Sequence, residues 1–91
     1  MGDRFRLRLG LGARGAGPRK RSYAVLGMMI ALRQTEEIKY HTRMGMANGL
    51  TKTEIEEILY SAVPYVGLPA ANVAKAAMVE VFKEQEGDGA E

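Results

Sequence analysis

The chain of 91 residues has room for one small domain, and with no cysteine and one histidine it excludes disulfides, thiol redox chemistry and a zinc site built from one chain. Its net charge of +2 is unevenly distributed: residues 1–22 hold seven basic residues and one acidic residue, whereas residues 23–91 hold six basic and ten acidic residues. The basic charge therefore belongs to the N-terminal segment, and we do not expect a nucleic-acid-binding domain.

The first predicted segment, residues 1–21, is a basic, glycine-rich leader. Phe5 to Leu9 alternate between apolar and basic residues, but no partner strand is predicted nearby, and glycines and a proline follow. Because the segment has too little apolar surface to fold alone, we predict a disordered arm. A phosphate-binding or nucleic-acid-binding arm and an arginine-rich targeting peptide are the alternatives.

The next predicted element is a long helix over residues 22–48. Its first half, Tyr23 to Leu32, is apolar on nearly all sides and too short to span a membrane. Such a helix has to be buried on several sides, and in so small a domain we expect other subunits to supply part of that burial. We therefore predict an oligomer and no membrane partner. Asn48 and Gly49 tolerate the left-handed conformation and are predicted to end the helix.

The second half of this helix carries Glu37 and His41. Their four-residue spacing places both side chains on one face, one turn apart. Histidine is the side chain whose unperturbed pKa suits proton transfer near neutral pH. This pair is therefore the candidate for acid–base chemistry. The alternative is a histidine that packs in a helical interface with Glu37 as its partner.

Two further helices are predicted over residues 52–65 and 69–85. Thr51 and Glu54 have the spacing of a capping box, which indicates where the second helix begins. Pro64 lacks a backbone donor and is predicted to end or kink that helix near Val63. The three helices predict an all-α domain over residues 22–85, followed by an acidic tail over residues 86–91.

The stretch from Tyr23 to Phe82 resembles the carboxymuconolactone decarboxylase family, within the alkylhydroperoxidase D-like superfamily. The resemblance rests on an ordered set of motifs: Glu37-x-x-x-His41, Met44-Gly45-Met46-Ala47-Asn48-Gly49-Leu50-Thr51, the Thr53-Glu54-Ile55-Glu56-Glu57 helix start and Tyr65-Val66-Gly67-Leu68-Pro69-Ala70-Ala71. It implies an alkylhydroperoxidase D-like helical fold that assembles into homotrimers or hexamers. It also implies a cytoplasmic enzyme that removes CO2 from a lactone carboxylate without a cofactor.

The superfamily's thiol peroxidases carry two cysteines where this chain has Gln34 and Glu37, so it cannot perform their thiol chemistry. Those peroxidases also carry a glutamate at the position of Ser22. Full-length decarboxylases have one or two helices ahead of the position of Tyr23, which the leader does not resemble. We therefore expect an N-terminally truncated member with an incomplete site wall.

The resemblance assigns candidate roles to four residues. His41 supplies the proton that replaces CO2 and is oriented by Glu37, or it holds the substrate carboxylate. Gln34 and Tyr65 are candidate hydrogen-bond donors to the small-molecule substrate and to the enolate that develops. No metal ligand and no cofactor is expected. The alternative is a non-catalytic helical oligomer, or a degenerate family member, that binds a small molecule.

Overall fold

The computed structural model describes the backbone of residues 17–90 and the side chains of residues 17–87. Within these residues the chain forms helices and no strand: α1, Gly17–Leu32; α2, Thr35–Ala47; and α3, Lys52–Ala90. Each helix packs against the other two. The predicted all-α fold of three main helices is confirmed. Residues 1–16 of the predicted leader lie outside the described residues, and α1 already begins at Gly17.

Residues 22–48 do not form a single helix, because the chain turns back on itself at Arg33. Arg33 has a φ of 56°. Its N–H donates to the Ile30 carbonyl at 3.1 Å, and the N–H of Gln34 donates to the Met29 carbonyl at 3.4 Å. These two bonds form a Schellman motif, in which the left-handed position normally belongs to glycine. The prediction of a continuous helix is therefore wrong at this position.

Helix α2 ends as predicted at Asn48-Gly49. Gly49 has a φ of 101°, and its N–H donates to the Met46 carbonyl at 3.1 Å. The N–H of Leu50 donates to the Gly45 carbonyl at 2.9 Å, which completes a second Schellman motif. The α1–α2 hairpin brings this end of α2 back to the start of α1.

Helix α3 begins with the predicted capping box. The Glu54 N–H donates to Thr51 Oγ1 at 3.1 Å, and the Thr51 N–H donates to Glu54 Oε1 at 2.9 Å. The helix does not end near Val63. It continues past Pro64 and breaks at Gly67, whose φ of 86° and ψ of 160° are not helical. We call residues 52–66 the first arm and residues 68–90 the second arm, which correspond to the two predicted helices with shifted boundaries.

The core lies between α1, α2 and the two arms of α3. Its large, fully buried side chains are Leu26, Ile30, Ile38, Ile55, Met78, Val81 and Thr42. The Thr42 hydroxyl donates to the Ile38 carbonyl at 2.7 Å, so this buried polar group is satisfied. In the described part of the chain, none of the helices is both long and apolar enough to cross a membrane.

Helix α1 is less buried within one chain than its composition predicts. Only Leu26 and Ile30 are buried, whereas Met28 and Leu32 are 56% and 60% exposed. An apolar helix with exposed large side chains has a face that the fold of one chain leaves open to water.

Candidate functional site

His41 lies in the middle of α2 with its side chain half-buried. Its Nε2 is 3.5 Å from Glu37 Oε1, one turn earlier on the same face. That distance is longer than a good hydrogen bond but within the range of an ion pair. The Tyr40 ring meets the imidazole edge-on, with ring centroids 5.0 Å apart and planes at 84°. Glu37 and Tyr40 thus restrict the orientation of His41 from two sides.

His41 lines a small cavity between the start of α1 and the end of α2, which we call the hairpin cavity. Its volume is about 190 Å³. The lining residues are Pro18, Arg21, Ser22, Val25, Tyr40, His41, Met44 and Asn48. Asn48 Nδ2 donates to Ser22 Oγ at 3.1 Å across the hairpin. The cavity therefore joins polar groups that are distant in sequence on facing helices.

Two ion pairs hold α2 against the second arm of α3. Arg43 donates to both carboxylate oxygens of Glu84, at 2.9 and 2.7 Å, and Lys39 Nζ lies 3.1 Å from Glu80 Oε2. Lys39 and Arg43 are each two residues from His41, about 200° around the helix. These contacts fix α2 from the side opposite His41, which leaves the imidazole facing the hairpin cavity.

The same contacts shift the ionisation of their members. The hydrogen bonds from Arg43 lower the pKa of Glu84, and the hydrogen bond to Glu80 raises the pKa of Lys39. The Glu84 carboxylate likewise raises the pKa of Arg43. All three groups are therefore held in their charged forms across the neutral pH range.

The two predicted substrate-binding residues lie elsewhere in the chain. Gln34 is exposed in the turn before α2, where its Nε2 donates to the Leu32 carbonyl at 3.2 Å. Tyr65 is 88% exposed on the first arm of α3. Among the described residues of one chain, neither Gln34 nor Tyr65 lines the hairpin cavity. Of the four predicted site residues, the structure joins His41 and Glu37 only.

Tyr65 instead lines a wider opening between α1 and the first arm of α3, which we call the aromatic groove. Its volume is about 680 Å³. Its lining residues are Tyr23, Gly27, Glu57, Ile58, Tyr60, Ser61, Ala62, Tyr65 and Val66. Most of these side chains are aromatic or aliphatic, so the groove offers contact area more than convergent polar groups.

Sequence reasoning did not assign Arg21, Asn48 or Tyr40 to the site. Arg21 falls inside the predicted disordered leader, and Asn48 reads as a helix end. In a continuous helix over residues 22–48, Ser22 and Asn48 would be about 39 Å apart, at 1.5 Å per residue. Predicting that Ser22 and Asn48 meet would have required a sequence pattern that ends the helix after Leu32. Arg33 is not such a pattern, because arginine is not typical of the left-handed position at a helix end.

The residues that could hold a metal ion are few. Among the residues that the structure describes, no three His, Asp or Glu side chains gather into a candidate metal site. The chemistry that the hairpin cavity offers is proton transfer by His41, with a guanidinium, a hydroxyl and an amide nearby.

Comparisons with known proteins extend the resemblance. The model of the carboxymuconolactone decarboxylase family matches residues 3–80, so the match begins within the leader rather than at Tyr23. The 4-carboxymuconolactone decarboxylase of Acinetobacter baylyi is 38% identical over 64 residues, which cover 70% of this chain and 48% of that protein. The chain thus spans about half the length of this curated relative. No solved structure gives a significant match. Because the family model covers most of the chain, the chain belongs to the carboxymuconolactone decarboxylase family.

Proposed function

We propose that the chain is a subunit of a decarboxylase that acts on a lactone carboxylate or a related small carboxylated substrate. The observation that carries the proposal is the placement of His41 in a small cavity with Arg21, Ser22 and Asn48, in a chain of this family. A cavity of about 190 Å³ is below the range of about 300–1,000 Å³ typical of drug-sized ligands, which favours a small substrate.

The proposed reaction breaks one carbon–carbon bond. The bond between the ring carbon and its carboxylate breaks, CO2 leaves, and the electron pair moves through conjugation onto the lactone carbonyl oxygen as an enolate. Protonated His41 then donates its proton to the carbon that lost CO2, and the imidazole regains a proton from solvent. General acid catalysis by a positioned histidine contributes about 10²- to 10⁴-fold to such a step.

Glu37 is proposed to position His41. Its Oε1 lies 3.5 Å from His41 Nε2, and its side chain is itself more than half exposed. Because an exposed carboxylate only orients the imidazole, we expect it to contribute less to the rate of decarboxylation than the imidazole itself. Binding of substrate by Gln34 and Tyr65 stays a prediction, and it requires a second subunit because neither side chain reaches the hairpin cavity within one chain.

The homo-oligomer also stays a proposal, and the open apolar surface supports it. Tyr60, Tyr65 and Leu68 are 61%, 88% and 63% exposed, and Tyr60 and Tyr65 line the aromatic groove together with residues of α1. Large exposed apolar side chains in one region are typical of an interaction surface. We propose that further copies of the chain cover this region in a trimer or hexamer in the cytoplasm. Sedimentation velocity of the full chain and cell fractionation test the two statements.

The experiment that tests the function measures CO2 release and lactone product from a panel of lactone carboxylates. We expect at least one substrate to give equal amounts of both. Glu37→Gln should reduce turnover about tenfold, whereas Glu36→Gln, its neighbour away from His41, should retain the parent rate. A folded parent chain that binds lactones but releases no CO2 would overturn the proposal and favour the non-catalytic binding protein.

A further inference from the structure

Arg21 is a charged residue of the hairpin cavity that has no role in the proposed reaction. It lies on α1 next to Ser22 and shares the cavity with His41, which stands on α2. Its side chain is half-buried, and its Nε is fully buried without a hydrogen-bond partner among the described residues. A buried donor of a charged group is costly to leave unpaired, at about 1–3 kcal/mol or more.

Two other arginines in the described part of the chain have carboxylate partners, whereas the exposed Arg33, like Arg21, has none within residues 17–87. Arg19 pairs with Glu54, and Arg43 binds Glu84 through two nitrogens. In residues 17–87, no such ion pair involves Arg21. The lining of the hairpin cavity also contains no acidic residue. Although Nε itself is closed off from water, Arg21 lines a cavity that offers it no acidic partner, and an anionic oxygen bound there would pair with its guanidinium.

The chemistry of the proposed reaction decides which anionic oxygen suits this position. Decarboxylation moves negative charge away from the departing carboxylate and onto the lactone carbonyl oxygen. A cation that held the departing carboxylate would stabilise the ground state more than the transition state and slow the reaction. A cation beside the carbonyl oxygen gains interaction energy as the enolate develops. Only the second arrangement accelerates the step.

We infer that Arg21 is a catalytic residue that binds the lactone carbonyl oxygen and stabilises the developing enolate, while His41 delivers the proton from the facing helix. The inference rests on the proposed function, and it replaces Gln34 and Tyr65 in that role with a residue of the cavity itself. Ser22 accepts a hydrogen bond from Asn48, so its own hydroxyl proton is available as a second donor.

The first test is a binding experiment that needs no turnover. Tetronate, a five-membered lactone with an ionised enol at neutral pH, is compared with its uncharged O-methyl ether by calorimetric titration of the full chain. We expect the parent to bind tetronate about 10- to 100-fold more tightly than the ether, as a charge-assisted hydrogen bond provides. Arg21→Gln should remove this preference, and Arg21→Lys should retain part of it.

Lys20→Gln is the matched control, because it removes one positive charge from the neighbouring exposed position, which does not line the cavity. It should retain the preference for tetronate. Equal loss in Lys20→Gln and Arg21→Gln would mean a general charge effect and overturn the inference. An unchanged preference in Arg21→Gln, with the fold verified by circular dichroism, would also overturn it.

The second test uses the lactone carboxylate that the parent turns over. Arg21→Gln should lower kcat by about 100-fold or more while KM changes by less than about threefold, because the lost contact strengthens in the transition state. A raised KM with unchanged kcat would mean that Arg21 anchors a carboxylate, which overturns the inference and leaves the decarboxylase intact. A parent without turnover overturns the proposed function, and the tetronate preference then decides alone whether Arg21 recognises a lactone enolate.

Discussion

The hairpin cavity and the aromatic groove differ in size, lining and construction. The groove is more than three times larger, at about 680 against about 190 Å³, yet its lining is mostly aromatic and aliphatic. The cavity is small but brings Arg21, Ser22, His41 and Asn48 together from two helices. The larger of the two openings is a reasonable first candidate for a ligand site, but convergent polar groups carry the chemistry. We therefore propose that catalysis takes place in the hairpin cavity and that assembly uses the aromatic groove.

The largest effect is expected on turnover, which should fall when the hairpin cavity is changed and much less when the aromatic groove is changed. His41→Gln should lower turnover of a lactone carboxylate by about 100-fold or more, because the proton donor is lost. Tyr65→Phe removes a hydroxyl that lies outside the hairpin cavity within one chain, so it should lower turnover by much less than His41→Gln does. Steady-state CO2 release measures both variants. If Tyr65→Phe loses as much activity as His41→Gln, the groove takes part in the chemistry and the assignment is wrong.

The next effect concerns self-association, which should depend on the aromatic groove. Tyr65→Lys replaces the most exposed aromatic ring of residues 17–87 with a charged side chain. It should weaken self-association by about 10- to 100-fold, which corresponds to the free energy of burying a large apolar side chain. Tyr65→Phe should assemble like the parent. Gln85→Lys, which changes the charge at another exposed position, is the control. Sedimentation velocity over a range of concentrations decides, and full assembly of Tyr65→Lys would show that the groove lies outside the interface.

A smaller effect concerns the glycines beside each region. A Cβ at Gly27, which lines the groove, meets no atom within 4 Å, so Gly27→Ala should raise the free energy of unfolding by up to about 1 kcal/mol. A Cβ at Gly45 would lie 3.0 Å from Leu50 Cδ1 and 3.8 Å from Ser22 Cβ. Gly45→Ala should therefore raise the free energy of unfolding by less than Gly27→Ala does. Urea unfolding compares the two, and an equal gain would mean that the hairpin is loosely packed there.

The smallest effect is the pH dependence of the contacts behind α2. The pKa of Glu84 is lowered by Arg43 from its usual 4.5, so its contribution to stability is present above that pH and is lost as the pH falls through the lower folded value. Glu84→Gln should therefore show a shallower loss of stability below about pH 4.5 than the parent. Glu86→Gln, two residues on, should follow the parent in urea unfolding. A parent-like slope in Glu84→Gln would mean that the Arg43 contact does not persist in solution.

The two helix ends around the site explain what the sequence predicts and what it does not. Both α1 and α2 end in Schellman motifs with the same pair of backbone bonds. Gly49 occupies the left-handed position of the second motif, and its preference for that conformation makes the end predictable. Arg33 occupies the same position in the first motif, where an L side chain is unfavourable by about 1–2 kcal/mol. Tertiary packing has to offset that strain, and tertiary packing cannot be read from the local sequence around Arg33.

The missed turn at Arg33 is one reason why Arg21 and Asn48 were not predicted to join the site, and for Arg21 the prediction of a disordered leader is the other. The Glu37–His41 pair follows from helical spacing alone, and the structure keeps it. Arg21 and Asn48 join His41 only because the hairpin folds α2 back along α1. The break in α3 shows the same limit: Pro64 is the stronger sequence signal, yet Gly67 takes the non-helical angles because it has no side chain to oppose them.

We propose that His41 in the hairpin cavity donates the proton that replaces CO2. The most direct measurement is chemical rescue of His41→Ala: CO2 release from a lactone carboxylate is followed with increasing imidazole at constant pH and ionic strength. We predict turnover at least about 100-fold below the parent without imidazole and a saturable increase with it. Parent-like turnover of His41→Ala without imidazole would contradict the claim.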